Sequence, residues 1–120
     1  MKERRICESE YRLLCVIWDT QPINSMDLSK VCEERIGWKK STTFTLLRKL
    51  CDKGLIKNER ALVSIVVPKD EVRAGEAKLF LKQNFDSSMP DLFEAVLKGD
   101  ELEAGEAEAL KKIIDAHTKG

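Results

Sequence analysis

The 120-residue sequence holds a single histidine, His117, close to its end, and only seven aromatic residues. It has no glycine-rich phosphate loop and no carboxylates clustered in a polar frame, so nothing equips it for catalysis and no enzyme is expected. Four cysteines, Cys7, Cys15, Cys32 and Cys51, are separated by 8, 17 and 19 residues, without a C-x-x-C pair. Ligands for zinc or copper usually come as closely spaced pairs, so no metal and no cofactor is expected. Cys15, Cys32 and Cys51 fall within apolar helical stripes, where a free thiol acts as a small hydrophobe. Reduced thiols of this kind point to the cytoplasm. The longest unbroken apolar run, Leu13 to Trp18, is six residues, far too short to cross a bilayer. The opening MKERRICESEY is basic but has no apolar h-region, so no secretion signal is expected.

A charge of one sign is also missing: 21 Lys and Arg face 21 Asp and Glu. Neutrality argues against nucleic acid as a partner, because such affinity normally comes from neutralising phosphates. The distribution argues the other way. Residues 1–60 hold thirteen basic and nine acidic residues, an excess of four positive charges, and residues 61–120 carry an equal negative excess. Between Lys39 and Arg60 stand seven basic residues and two acids, Asp52 and Glu59. A basic block and an acidic remainder suit a chain with two jobs.

Hydrophobic spacing gives the order of elements. Leu13, Leu14, Ile17 and Trp18 mark a first helix, with Glu10 at the acid position of a capping box and Cys7 as an unusual cap. Gln21-Pro22 ends it, Ile23 suits a very short strand, and Asn24 or Ser25 caps a second helix that carries Leu28, Val31 and Cys32 inward and stops near Gly37. The third helix, WKKSTTFTLLRKLCDKG, turns Thr43, Leu46, Leu47, Leu50 and Cys51 inward, with Gly54 as its left-handed stop. Leu55-Ile56 and Leu62 to Val67 read as two strands joined by Lys57 to Ala61 and closed by Pro68. Helices over Val72 to Phe85, from Met89 through Leu97, and from Glu103 to His117 follow.

Two helices joined by a short turn, the second polar and basic outside, form a helix-turn-helix pattern. The outer face of the third helix presents Ser41, Thr42, Phe44, Thr45, Arg48 and Lys49. Residues near the start of a recognition helix reach base edges, so Ser41, Thr42 and Thr45 are the best-placed readers. Arg48 can fork onto a guanine or hold a phosphate, and Phe44 can press on a thymine methyl or be partly buried. Lys39, Lys40 and Lys49, with Lys57 and Arg60 in the hairpin, suit phosphates of double-stranded DNA. A plain surface helix explains this poorly, because threonine is a mediocre helix former and four of residues 41–45 are Ser or Thr.

Ile6, Glu10, Tyr11 and Val16-Ile17-Trp18, and more strongly Trp38 to Leu50 followed by Lys53-Gly54-Leu55-Ile56, carry a likeness: the chain resembles the penicillinase-repressor family of winged-helix regulators. The likeness continues through Pro68 and Asp70-Glu71-Val72 to Leu102–Ile114, essentially the whole chain. The frame Trp-x3-Thr-x2-Thr-Leu-Leu-x2-Leu-x3-Gly is more than a generic winged helix would carry. The resemblance implies a mainly α, α+β fold: a winged helix-turn-helix with a small β-hairpin wing over residues 1–68, then dimerisation helices over residues 69–120. It implies a homodimeric repressor occupying a palindromic operator through the Lys39–Leu50 helix. Ser41, Thr42, Phe44 and Thr45 fall where the family reads DNA, and Lys49 falls at a phosphate-contacting position. Phe44 departs from a position that can be arginine, so no operator sequence carries over. The hairpin is short beside those of the best-known members. The cysteine-rich tail of copper-responsive members is missing, so copper sensing is not implied. Some members are cut at an Asn-Phe bond on the signal of a membrane sensor protease. Ala95-Val96 stand there in this chain, and cleavage at that bond is not expected.

The helical half makes its own case for pairing. Phe80, Phe85, Leu92, Phe93, Val96, Leu97, Leu110, Ile113 and Ile114 are more apolar surface than three short helices bury alone. A second copy would cover them. Two other readings remain open at this point: an adaptor that binds proteins through this half, and a regulator responding to a thiol or ligand signal.

Overall fold

The computed structural model describes residues 5–120; Lys2 and Arg4, counted above in the basic half, lie outside the described residues. Six helices and a three-stranded sheet follow the chain as α1 (Glu8–Thr20), β1 (Ile23–Asn24), α2 (Ser25–Ile36), α3 (Lys40–Asp52), β2 (Ile56–Glu59), β3 (Leu62–Ile65), α4 (Lys69–Phe85), α5 (Met89–Leu97) and α6 (Ala104–Ala116). The sheet is antiparallel with order β1-β3-β2. Among the described residues no helix is long and apolar enough to cross a membrane.

The chain forms two compact units, one ending at Leu79 and one spanning Phe80–Gly120. The first has a single core. Leu13, Leu14 and Ile17 of α1 meet Leu28 and Cys32 of α2, Leu47 and Leu50 of α3, and Leu55, Ile56 and Val63 around the sheet. Each leucine so buried contributes about 1.5–3 kcal/mol. The helical spacing of these residues in the sequence is what lets three helices share one interior. Cys51, expected inward, is half-buried at its rim.

Local chemistry sets the element ends. Gly37 ends α2 at φ 79, a left-handed conformation that glycine adopts without steric cost, and its N–H donates to the carbonyls of Cys32 and Glu33. The Asn24 side chain caps α2 by accepting from the Met26 N–H at 2.8 Å. The hairpin differs from expectation. Lys57, Asn58 and Glu59 belong to β2, and the turn is only Arg60-Ala61, both at positive φ, which matches the twist of the strands as a two-residue turn should. Those strand residues read as loop because β2 is exposed beyond Ile56 and has no apolar alternation. The second strand stops at Ile65, two residues early, where the backbone turns so that Val66 and Val67 both donate to the Leu55 carbonyl. Helix α4 starts at Lys69 rather than Val72, because the Pro68 carbonyl accepts from Glu71 and Val72.

The second unit holds the end of α4 with α5 and α6. Asp86 and Ser87, both at positive φ, make the turn after α4, and Ser88 caps α5 by accepting from the Asp91 N–H at 3.2 Å. Phe80 and Phe85 lie 5.9 Å apart. Neither α5 nor α6 contains a buried residue.

Among the described residues Glu10 is the one buried acid of the first unit, 3% exposed. Its Oε1 accepts from the Cys7 N–H at 3.0 Å and from Lys53 Nζ at 2.8 Å. Burial pushes this carboxyl up, but hydrogen bonds from Lys53 and Cys7, with the attraction of the ammonium, bring it below the usual 4.5. Glu76 on α4 moves the opposite way, raised by burial. A lowered carboxyl adds stability that is complete above 4.5 and fades as pH falls through its folded value. The raised Glu76 adds stability that is complete below 4.5 and fades as pH rises. Glu10→Gln should therefore lower the urea midpoint near neutral pH and flatten its decline on the acid side of 4.5. Urea titrations across a pH series measure both.

Candidate nucleic-acid interface

Helix α3 follows α2 after a three-residue turn, Gly37 to Lys39. Its buried side is Thr43, Leu46, Leu47 and Leu50. Because those positions recur at the helical period, the rest of the helix is turned outward: Ser41, Thr42, Thr45, Arg48 and Lys49 are exposed, with Lys39 and Lys40 at its start. These seven residues therefore lie along one surface. Phe44 is different. It is half-buried against the core, and Lys40 Nζ stands 5.8 Å over its ring.

The beginning of α3 gathers positive charge. Lys39 occupies the cap position without a side-chain cap hydrogen bond, and its carbonyl accepts from Thr42 and Thr43 at 3.0 and 3.2 Å. Every other described helix carries an acid in its first turn, whereas α3 carries none and starts with two lysines. A helix N-terminus already holds partial positive charge, so this choice costs helix stability and favours a phosphate.

Among the described residues Lys39, Lys49, Arg48 and Arg60 form no ion pair. Lys57 approaches Glu59 at 3.9 Å, and both are exposed. Lys57 and Arg60 line one open groove with Glu59, Leu62 and Ser64 of the hairpin and Pro22 just before β1. The hairpin is tied to the helices by two hydrogen bonds: the Ser25 N–H donates to the Ala61 carbonyl at 2.8 Å, and the Ile65 N–H to Gln21 Oε1 at 2.9 Å.

One basic residue of the block is spent inside. Lys53, at the end of α3, points to Glu10 of α1 and donates to the Arg5 carbonyl as well. Nothing local in the sequence announces this pair, since the two residues lie 43 positions apart. The thiols do not join the surface. Burial pushes Cys32 and Cys51 above their usual value, and Asp52 adds to the rise at Cys51.

In the second unit, Phe80, Val96, Ile113 and Ile114 are each more than half exposed, Val96 most at 63%. Phe85, Leu92, Phe93, Leu97 and Leu110 are half-buried. Ala95 and Val96 sit inside α5.

A family described as "Penicillinase repressor" matches residues 6–116. The chain is similar to the penicillinase repressor of Bacillus licheniformis, 26% identical over 117 residues that cover 94% of this chain and 91% of that protein. A shorter likeness, 33% over 55 residues, links it to an uncharacterized 16.5 kDa protein of Latilactobacillus sakei; it covers 46% of this chain and 38% of that one. Among solved structures, the DNA-binding domain of the repressor BlaI superposes with a TM-score of 0.51 at 26% identity, covering 58% of this chain and 90% of the domain. The Bacillus licheniformis BlaI monomer in complex with the blaP half-operator gives 0.50 at 24% identity over the same shares, a likeness of fold.

The uncapped start of α3 yields a measurable expectation. Lys39→Asp supplies both a cap and a charge of the favourable sign, and should stabilise the fold by about 1 kcal/mol. Thermal melts of the two chains read this directly; an unchanged or lower midpoint would show that the start of α3 is satisfied some other way.

Proposed function

The chain belongs to the penicillinase repressor family, and on that premise we propose that it is a dimeric repressor occupying a palindromic operator through α3. The observation that carries this reading is the outer surface of α3, where short hydroxyls and unpaired cations share one face on a helix whose other side is core. Ser41, Thr42 and Thr45 read base edges from the first turns, and Arg48 reads or anchors further along. Phe44, half-buried, offers only a ring edge to a thymine methyl. Lys39, Lys40 and Lys49 hold phosphates, as do Lys57 and Arg60 from the wing. Repression follows from occupancy: a duplex covered by this surface is not available to a polymerase.

Pairing is the second part of the proposal. The 69–120 segment supplies the dimer, using Phe80, Phe85, Leu92, Phe93, Val96, Leu97, Leu110, Ile113 and Ile114. What supports it is that α5 and α6 bury no residue within one chain. Two-fold symmetry then sets two α3 helices on two half-sites.

The test begins with a duplex selected from a randomised pool by the wild-type chain. Fluorescence anisotropy should show Thr42→Ala and Thr45→Ala losing the preference for that duplex by about 1–3 kcal/mol each. Lys49→Ala should weaken binding to every sequence alike and lower the salt slope by about one. An unchanged slope would remove Lys49 from the phosphates.

Pairing has a separate readout. Val96→Glu costs one chain little, since the side chain is already 63% exposed, but places a charge in the paired face. Sedimentation should show the wild-type chain as a dimer and the variant as a monomer that keeps the melt of the first unit. A monomeric wild-type chain would defeat the dimer and favour a protein-binding adaptor.

A further inference from the structure

The core stripe of α3 fixes which side of the helix faces in, but apolar contact has no direction of its own and tolerates small shifts. Something directional holds the far end of the helix. Lys53 is its C-cap residue, and the Lys53 ammonium donates to Glu10 Oε1 at 2.8 Å and to the Arg5 carbonyl. Glu10 is itself fixed, because the same oxygen accepts from the Cys7 N–H at the start of α1. Its other oxygen, Oε2, is buried with no hydrogen-bond partner among the described residues, so the carboxylate relies on Lys53 for its compensating charge. Capping α1 alone would need no burial and no lysine. From α4, Glu76 faces the same group, accepting from the Ile6 N–H and lying within electrostatic reach of Lys53, Arg5 and Glu10.

We infer that Glu10 is a positioning residue for DNA reading: through Lys53 it sets where the last two turns of α3, with Arg48 and Lys49, stand against a duplex. At 3% exposure Glu10 touches no nucleic acid itself. The inference rests on the reader role proposed for α3. Hydrogen bonds to base edges are narrow in geometry, so a small displacement of the helix reduces selectivity before it reduces charge attraction.

Two full-length variants test this, Glu10→Gln, which keeps the shape of the side chain, and Lys53→Met, which keeps the stem. Measured well below the melt, each should bind the duplex selected by the wild-type chain about ten-fold more weakly, as one mismatched base pair would. Binding to an unrelated duplex and the salt slope should stay within about two-fold of wild type, which loss of a phosphate contact would not allow. The double variant should be no worse than either single one, because both remove the same link. Amide exchange on the free proteins supplies a second readout: both variants should exchange faster over residues 50–55. A folded Glu10→Gln chain with unchanged selectivity and unchanged exchange overturns the inference. So does a lowered salt slope confined to Lys53→Met, which would make Lys53 a phosphate contact. A wild-type chain that selects no duplex refutes the reader role, and this inference with it.

Discussion

Burial of Leu46, Leu47 and Leu50 against α1 and α2 decides everything that α3 has left to offer. Once that stripe and Thr43 are inside, the helical period leaves Ser41, Thr42, Thr45, Arg48 and Lys49 on the opposite side whatever their chemistry. Core and surface of this helix are therefore one decision. A change that rotated α3 to improve its packing would turn the hydroxyls away from a duplex by the same angle. The other elements serve that orientation: Gly37 makes the short turn before the helix, Gly54 the stop after it, and the Ser25–Ala61 hydrogen bond keeps the hairpin beside the helix pair.

Electrostatic cost is concentrated where binding would recover it. A start of helix with no cap, no acid and two lysines lowers the stability of the free protein, as do Lys39, Arg48 and Lys49, which have no acid partner among the described residues. The same protein shows that it can place charge economically elsewhere. Glu10 and Lys53 form a partly buried pair with directional hydrogen bonds, and five other helices start with acids. The contrast lies within one chain and one solvent, so the charge at the start of α3 is a local feature and not a general habit of composition.

How much of this the sequence disclosed depends on the range of the interaction. Leu13, Leu14 and Ile17, or Leu46, Leu47 and Leu50, announce their helices because periodicity is local, and the left-handed Gly54 follows from the end of the same pattern. The outward face of α3, with its hydroxyls and cations, was legible for the same reason, as the complement of the stripe. The wing was less so. Arg60 and Ala61 lack the Asn-Gly signature of a tight turn, and Lys57 to Glu59 show no alternation, so the hairpin looked longer in its loop than it is. The Glu10–Lys53 pair was not legible at all, because it depends on how α1 and α3 meet in space. Phe44 stood between: its place on the helix was clear, but its contact with the core rim required neighbours to be known.

The unit from Phe80 onward, with no buried side chain in α5 or α6, has a consequence for the cell's arithmetic. Apolar helices that one chain leaves half in water gain cover by meeting another surface, so under the proposed pairing their stability depends on how many chains are present. While single chains predominate, the number of pairs rises with the square of the number of chains. Doubling expression from low levels would then quadruple the active species. Such a protein would respond to gene dosage more steeply than its affinity for DNA alone would give, and modest dilution at division would relax it.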